Sequence, residues 1–115
     1  MEGKIVIEPR PVKAKFYASI MRRSLFARLS EVLPVDEIKK LVGVINAKIF
    51  EIVTDNKVNK EGYIVPVAEI EVDAVTKSVK DLRVGVRVLE EKELHMEDVD
   101  IEEMLEKIAR AQKIQ

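Results

Sequence analysis

The chain has no cysteine and no tryptophan, and its 115 residues include only four glycines, four prolines and one histidine. Without thiols there can be no disulfide, thiol nucleophile or thiolate metal site. Four scattered glycines cannot build a phosphate-cradling loop, and GxGxxG, P-loop, GxSxG and HExxH patterns are all missing. The lone histidine, His95 in ELHMED, reads as a solvated loop or cap residue beside a helix start. Acid pairs such as Glu69 with Glu71 and Glu102 with Glu103 read as solvated faces in a chain this rich in glutamate. Catalysis, a metal and a cofactor are therefore not expected. Long apolar runs are lacking too. The start MEGKIVIEPRP has too short an apolar stretch for a signal peptide, and no segment reaches the length of a membrane span. The expectation is a cytoplasmic protein without a membrane partner.

What is present is charge. Charged residues make up 36% of the chain and hydrophobic ones 47%, which describes one globular domain with a single core. The Lys/Glu-rich, short-looped profile suits a protein from a hot environment. Net charge is −1, so there is no general basic excess. The distribution is uneven. Arg10, Lys13, Lys15, Arg22, Arg23 and Arg28 precede the next acid, Glu31, whereas residues 90–106 are strongly acidic. Only the basic front can attract phosphate.

Periodicity orders the elements as β-α-α-β-β-α, an α+β domain with a small antiparallel sheet supported by two consecutive helices. KIVIE (Lys4 to Glu8) is a short strand ended by EPRP. The first helix should begin within Val12 to Lys15 and reach about Leu33, where Pro34 closes it. The second should start at Asp36 as N-cap and run to about Thr54, burying Ile38, Leu41, Val42, Ile45, Ile49, Ile52 and Val53. Val44 and Phe50 fall off that stripe, as they would in a helix covered on more than one side. DNKVNKEGY is a connection. Alternating Ala68, Ile70, Val72 and Leu82, Val84, Val86, Val88 mark two strands of a hairpin, with Pro66 at an edge position or a bulge. In the C-terminal helix Ile101, Met104, Ile108 and Ala111 form a short a/d seam flanked by Leu105, and the next seam position is the polar Gln115. The seam serves either oligomerisation or docking on its own domain. The chain thus divides into residues 1–94 and a C-terminal helical segment, 95–115.

The unusual stretch is KFYASIMRRSLFARL. On a helical wheel Tyr17, Ala18, Met21, Leu25 and Leu29 make the core stripe, yet the opposite side carries Phe16, Ile20, Ala27 and Arg23, with Arg22 and Phe26 at one edge. Guanidinium groups fork onto phosphate and stack on rings, and aromatic faces stack bases. This mixture suits single-stranded nucleic acid. The plainer account is that the phenylalanines pack against protein while the arginines pair with acids at the rim. Arg83 and Arg87 on the sheet's polar face are more simply explained by cross-strand pairs with Glu69, Glu71 and Asp73. The segment PRPVKAK is either a phosphate-contacting arm or a tether.

FYASIMRRSLFARL, VINAKIFEIV, the VAEIEVD strand and the RVGVRV strand together resemble the archaeal ThermoDBP-related proteins, over roughly Val12 to Val88. That family is associated with single-stranded DNA binding in thermophiles. The resemblance implies helices supporting an antiparallel sheet, oligomers assembled through C-terminal helices, and DNA held between subunits. Its best residue matches are Arg22, Arg23 and Phe26, with Tyr17 and Arg28 weaker. The expected role is non-enzymatic, sequence-nonspecific binding of single-stranded DNA or RNA by a homo-oligomer, a dimer or tetramer. Arg10, Lys13, Lys15, Arg22, Arg23 and Arg28 would contact phosphate, and Phe16, Phe26 and Tyr63 would offer stacking surfaces. Ile101, Met104, Leu105, Ile108 and Ala111 would form the subunit interface. The alternative is an assembly or adaptor module whose Arg/Phe face meets protein.

Overall fold

The computed structural model describes residues 2–114 of the chain. Its elements run β1 (Glu2–Ile7), β2 (Val12–Lys13), a 3-10 turn (Ala14–Phe16), α1 (Tyr17–Leu29), α2 (Val35–Asp55), β3 (Tyr63–Asp73), β4 (Ser78–Val88), β5 (Glu93–Asp98) and α3 (Ile101–Ile114). The strands form one antiparallel sheet in which β1 and β2 share one flank of β3, followed by β4 and β5. The α+β class is as expected, with two strands beyond those read from periodicity.

Helices and sheet share one core. Every apolar position anticipated for α2 is buried, and so is Val44, while Phe50 is exposed. These side chains meet Met21, Leu25 and Leu29 of α1, Met104 of α3, and the inward set Ile64, Ala68, Ile70, Val72, Leu82, Val84, Val86 and Val88 of the hairpin. No helix among the described residues is long and apolar enough to cross a membrane.

Several boundaries differ from the reading of the sequence, each for a local reason. The first helix stops at Leu29 rather than Leu33. The N–H groups of Val32 and Leu33 both fold back onto the Leu29 carbonyl (3.0 and 2.9 Å), which buries Leu33 before Pro34 forces extended backbone. Pro34, not Asp36, is the N-cap of α2, because its extended backbone lets its carbonyl accept from Ile38 N–H at 3.1 Å. Asp36 and Glu37 instead lie in the first turn, where they complement the helix dipole. Ala18, assigned to the core stripe, is exposed. The start of α1 is held instead by buried Ala14 and by the Tyr17 hydroxyl, which donates to the Asn46 carbonyl at 3.2 Å.

Pro66 occupies an interval of β3 between the β2 register (63–64) and the β1 register (68–73), where that flank has no partner strand. Its missing N–H costs no ladder bond there. The register shift of the hairpin falls elsewhere, between Glu71 and Val72.

The largest departure is β5. His95, read as a loop or cap residue, sits mid-strand opposite Val86. The boundary anticipated between residues 94 and 95 falls inside this strand. The seam of α3 docks on its own domain: Met104 is buried, Ile101, Leu105 and Ile108 pack against the core, and Ala111 is exposed. Gln115 lies outside the described residues.

Ion pairs tie both α3 and β5 to α2. Lys107 Nζ reaches Glu51 at 3.7 Å and Glu103 at 3.6 Å, and Lys48 Nζ reaches Glu97 at 2.9 Å and Glu51 at 3.4 Å. Desolvation opposes the charge on Lys48, but its bonds and attraction to Glu97 and Glu51 outweigh that and hold its pKa above the usual lysine value.

Candidate functional site

The basic residues of the front end fall into two groups. The first surrounds the entry to α1. Lys13 pairs with Tyr63 across β2 and β3, and the N–H groups of Ala14 and Lys15 donate to the carbonyls of Gly62 (2.9 Å) and Lys60 (3.2 Å). Residues 12–16 are therefore fastened to the 59–62 turn, and only Arg10, exposed between β1 and β2, keeps the character of an arm.

The same contacts bring Glu61 between the two lysines. Its carboxylate lies 2.6 Å from Lys15 Nζ and 3.6 Å from Lys13 Nζ. The bond and charge of Lys15, with Lys13 adding, hold the Glu61 carboxyl below its ordinary pKa. Both lysines named as phosphate contacts thus already have an anionic partner. Glu61 was not anticipated, because it lies in a connection 46 residues from Lys15 and only the β2–β3 pairing makes them neighbours. Phe16 is 58% exposed, with Lys15 Nζ 5.2 Å from its ring centroid, and Tyr63 is 49% exposed. Lys13, Lys15, Phe16 and Tyr63 form one neighbourhood.

The second group runs along α1. Arg22 and Arg23 are exposed, and the Arg22 guanidinium stands 5.7 Å from the centroid of the Phe26 ring. Phe26 is half-buried and packs against the core, so it presents part of its ring outward. Arg28, one and a half turns beyond Arg23 and roughly 18 Å from Phe16 along the axis, donates to the Val6 carbonyl at 3.4 Å. Among the described residues no carboxylate lies within 4.0 Å of Arg10, Arg22, Arg23 or Arg28.

The contrast with the sheet is sharp. Arg83 meets Glu69 at 3.4 Å and Asp98 at 3.2 Å, Arg87 meets Glu8 at 3.1 Å, and Lys4 meets Glu69 at 3.0 Å. Arg83 pairs across strands with Glu69 as expected and also with Asp98, whereas Arg87 meets none of the three anticipated acids and takes Glu8, just beyond β1. Lys4, first, and then Arg83 hold the Glu69 carboxyl below its usual pKa. On the helical side, Tyr17, Ala47, Phe50, Met104, Ile108 and Ala111 line an apolar groove of about 410 Å³. It continues the α3 seam onto the surface.

No protein-family model and no curated protein matches the chain. Among solved structures, the crystal structure of pfuThermo-DBP-RP1 (crystal form II) superposes with a TM-score of 0.58, covering 97% of this chain and 72% of that one, at 23% sequence identity. The fold is shared with pfuThermo-DBP-RP1. The match to pfuThermo-DBP-RP1 agrees with the architecture implied by the resemblance of the α1 and strand motifs, and it is a likeness of fold.

Proposed function

We propose that this chain binds single-stranded nucleic acid, DNA foremost, without sequence specificity and without catalysis. Arg22, Arg23 and Phe26 form the centre of the surface, and Arg10, Arg28, Phe16 and Tyr63 extend it. The observation that carries this reading is that, among the described residues, no carboxylate lies within 4.0 Å of the α1 arginines, whereas Lys13 and Lys15 at the entry to α1 and Arg83 and Arg87 on the sheet all meet acids. Unpaired guanidinium groups beside an open ring are suited to phosphate and to stacking at once. The Thermo-DBP name of the fold relative and the resemblance of the α1 motif support the same direction. We further propose a homo-oligomer, with the apolar groove beside α3 as the contact, so that basic surfaces on several copies act on one strand.

The test is fluorescence anisotropy with labelled oligo-dT, a mixed-sequence RNA and a duplex of equal length, at two salt concentrations. Single strands should bind more tightly than duplex and weaken as salt rises. Arg22→Ala/Arg23→Ala should weaken oligo-dT binding about tenfold, some 1.4 kcal/mol, and flatten the logarithmic salt slope by roughly 1.4, about 0.7 per lost phosphate contact. Unchanged affinity and slope in that variant would make the α1 face a protein interface.

Glu61→Gln should act in the opposite direction. It releases Lys13 and Lys15 from their anionic partner, so oligo-dT affinity should rise and the salt slope steepen by up to about 1.4. Equal slopes in the two proteins would place the strand away from the α1 entry.

A further inference from the structure

The β4–β5 hairpin carries a second cluster, of different composition from α1. Glu91, Glu93 and His95 each place one ligand atom within 4.8 Å of the other two. The backbone explains why they converge. Glu93 lies opposite Val88 and His95 opposite Val86, so both side chains leave the same face of β5 one pleat apart. Lys92, with a left-handed backbone (φ 55°), turns the chain between Glu91 and Glu93.

His95 Nε2 stands 3.4 Å from Glu93 Oε2. In four-coordinate zinc, nitrogen and oxygen ligands at about 2.0–2.2 Å lie on the order of 3.4 Å from one another. This pair already spans one edge of such a site, and the exposed Glu91 side chain is free to close on it. Two carboxylates held close together in solvent repel one another unless a cation lies between them. The imidazole, half-buried and fixed by the strand, supplies the nitrogen donor that an acidic cluster alone would lack. Among the described residues no lysine or arginine pairs with Glu91 or Glu93, and Arg87 sits on the alternate face of β4, bonded to Glu8.

We propose that Glu91, Glu93 and His95 form a zinc site, with water completing the coordination. Three nitrogen and oxygen donors with an open position suit Zn²⁺ without any thiolate. The ion would tie the turn of the hairpin to the body of β5. The site is built on the geometry of β5 and its turn and uses none of the α1 arginines.

The experiment is calorimetric titration of the full chain with zinc chloride, repeated with His95→Gln and with Glu91→Gln/Glu93→Gln, each variant first shown by circular dichroism to be folded. The expected result is one Zn²⁺ per chain, bound at least about tenfold more weakly by either variant. Cobalt substitution should give a visible absorption band in the native chain that is lost in His95→Gln. No uptake by the native chain, or uptake undiminished in both variants, would overturn the proposal.

Discussion

Gly85→Ala is expected to cost about 2–3 kcal/mol and to lower the thermal midpoint by roughly 10 °C in a domain of this size. The usual expectation has the opposite sign, because removing a glycine from a strand reduces the freedom of the unfolded chain and stabilises by about 0.4–1 kcal/mol. The geometry decides against that gain. Gly85 is not in the left-handed region, so backbone freedom is not what the position requires. It requires space. Gly85 pairs with Val67 on one side and Met96 on the other, and a Cβ there would meet the Met96 side chain and lie 2.6 Å from the His95 carbonyl oxygen. Met96 can rotate away, whereas the carbonyl can move only with β5. Gly85→Ala/Met96→Ala should therefore recover only part of the loss. Calorimetry and amide exchange check both statements, with the β5 amides exchanging faster in Gly85→Ala. An unchanged midpoint would mean that β5 is not held closely against β4.

The contrast between β5 and α2 shows which parts of the fold could be read in advance. α2 repeats large apolar residues at three- and four-residue intervals, and each is buried where the spacing puts it. The β3–β4 hairpin shows its inward face by strict alternation. β5 shows neither pattern. Its sequence, ELHMED, offers only Leu94 and Met96 as apolar residues, opposite Arg87 and Gly85, on the alternate face from the inward set Val84, Val86 and Val88. The pairing of β5 rests on backbone bonds and on the absence of a side chain at Gly85, and neither leaves a periodic signal. The α3 seam is ambiguous for another reason. A three-four-three stripe looks the same whether it meets its own α2 or a second copy.

The candidate site divides along similar lines. The aromatic–basic composition of α1 and its lack of acids are visible in the chain itself. Whether an arginine or lysine finds a carboxylate is not. Glu61 is remote in sequence from Lys13 and Lys15 and becomes their partner only when β2 pairs with β3. Arg87 takes Glu8, 79 residues away, instead of a hairpin neighbour. Charge composition alone gives all six front-end cations equal standing, and the fold separates them into lysines paired with Glu61 and arginines with no carboxylate partner among the described residues.

That separation depends on how α1 is anchored, which leads to the second large effect. Leu25→Ala should destabilise the protein by about 3 kcal/mol, seen as a lower urea midpoint with an unchanged denaturant slope. Met21, Leu25 and Leu29 are the fully buried side chains of α1, and Leu25 is the middle one. Removing it leaves a cavity between two neighbours that are themselves held at 0% exposure. Arg22 and Arg23 leave the helix on other sides, so where the variant is folded its oligo-dT affinity should stay within about twofold of the native value. Phe26→Ala should behave in reverse. Its half-buried ring contributes less to stability, but loss of the stacking face should cost about 1–3 kcal/mol of binding. If Leu25→Ala weakens binding as much as Arg22→Ala/Arg23→Ala, then α1 opens locally when its anchor is cut. Affinity would then depend on the packing beneath the arginines as well as on the arginines themselves.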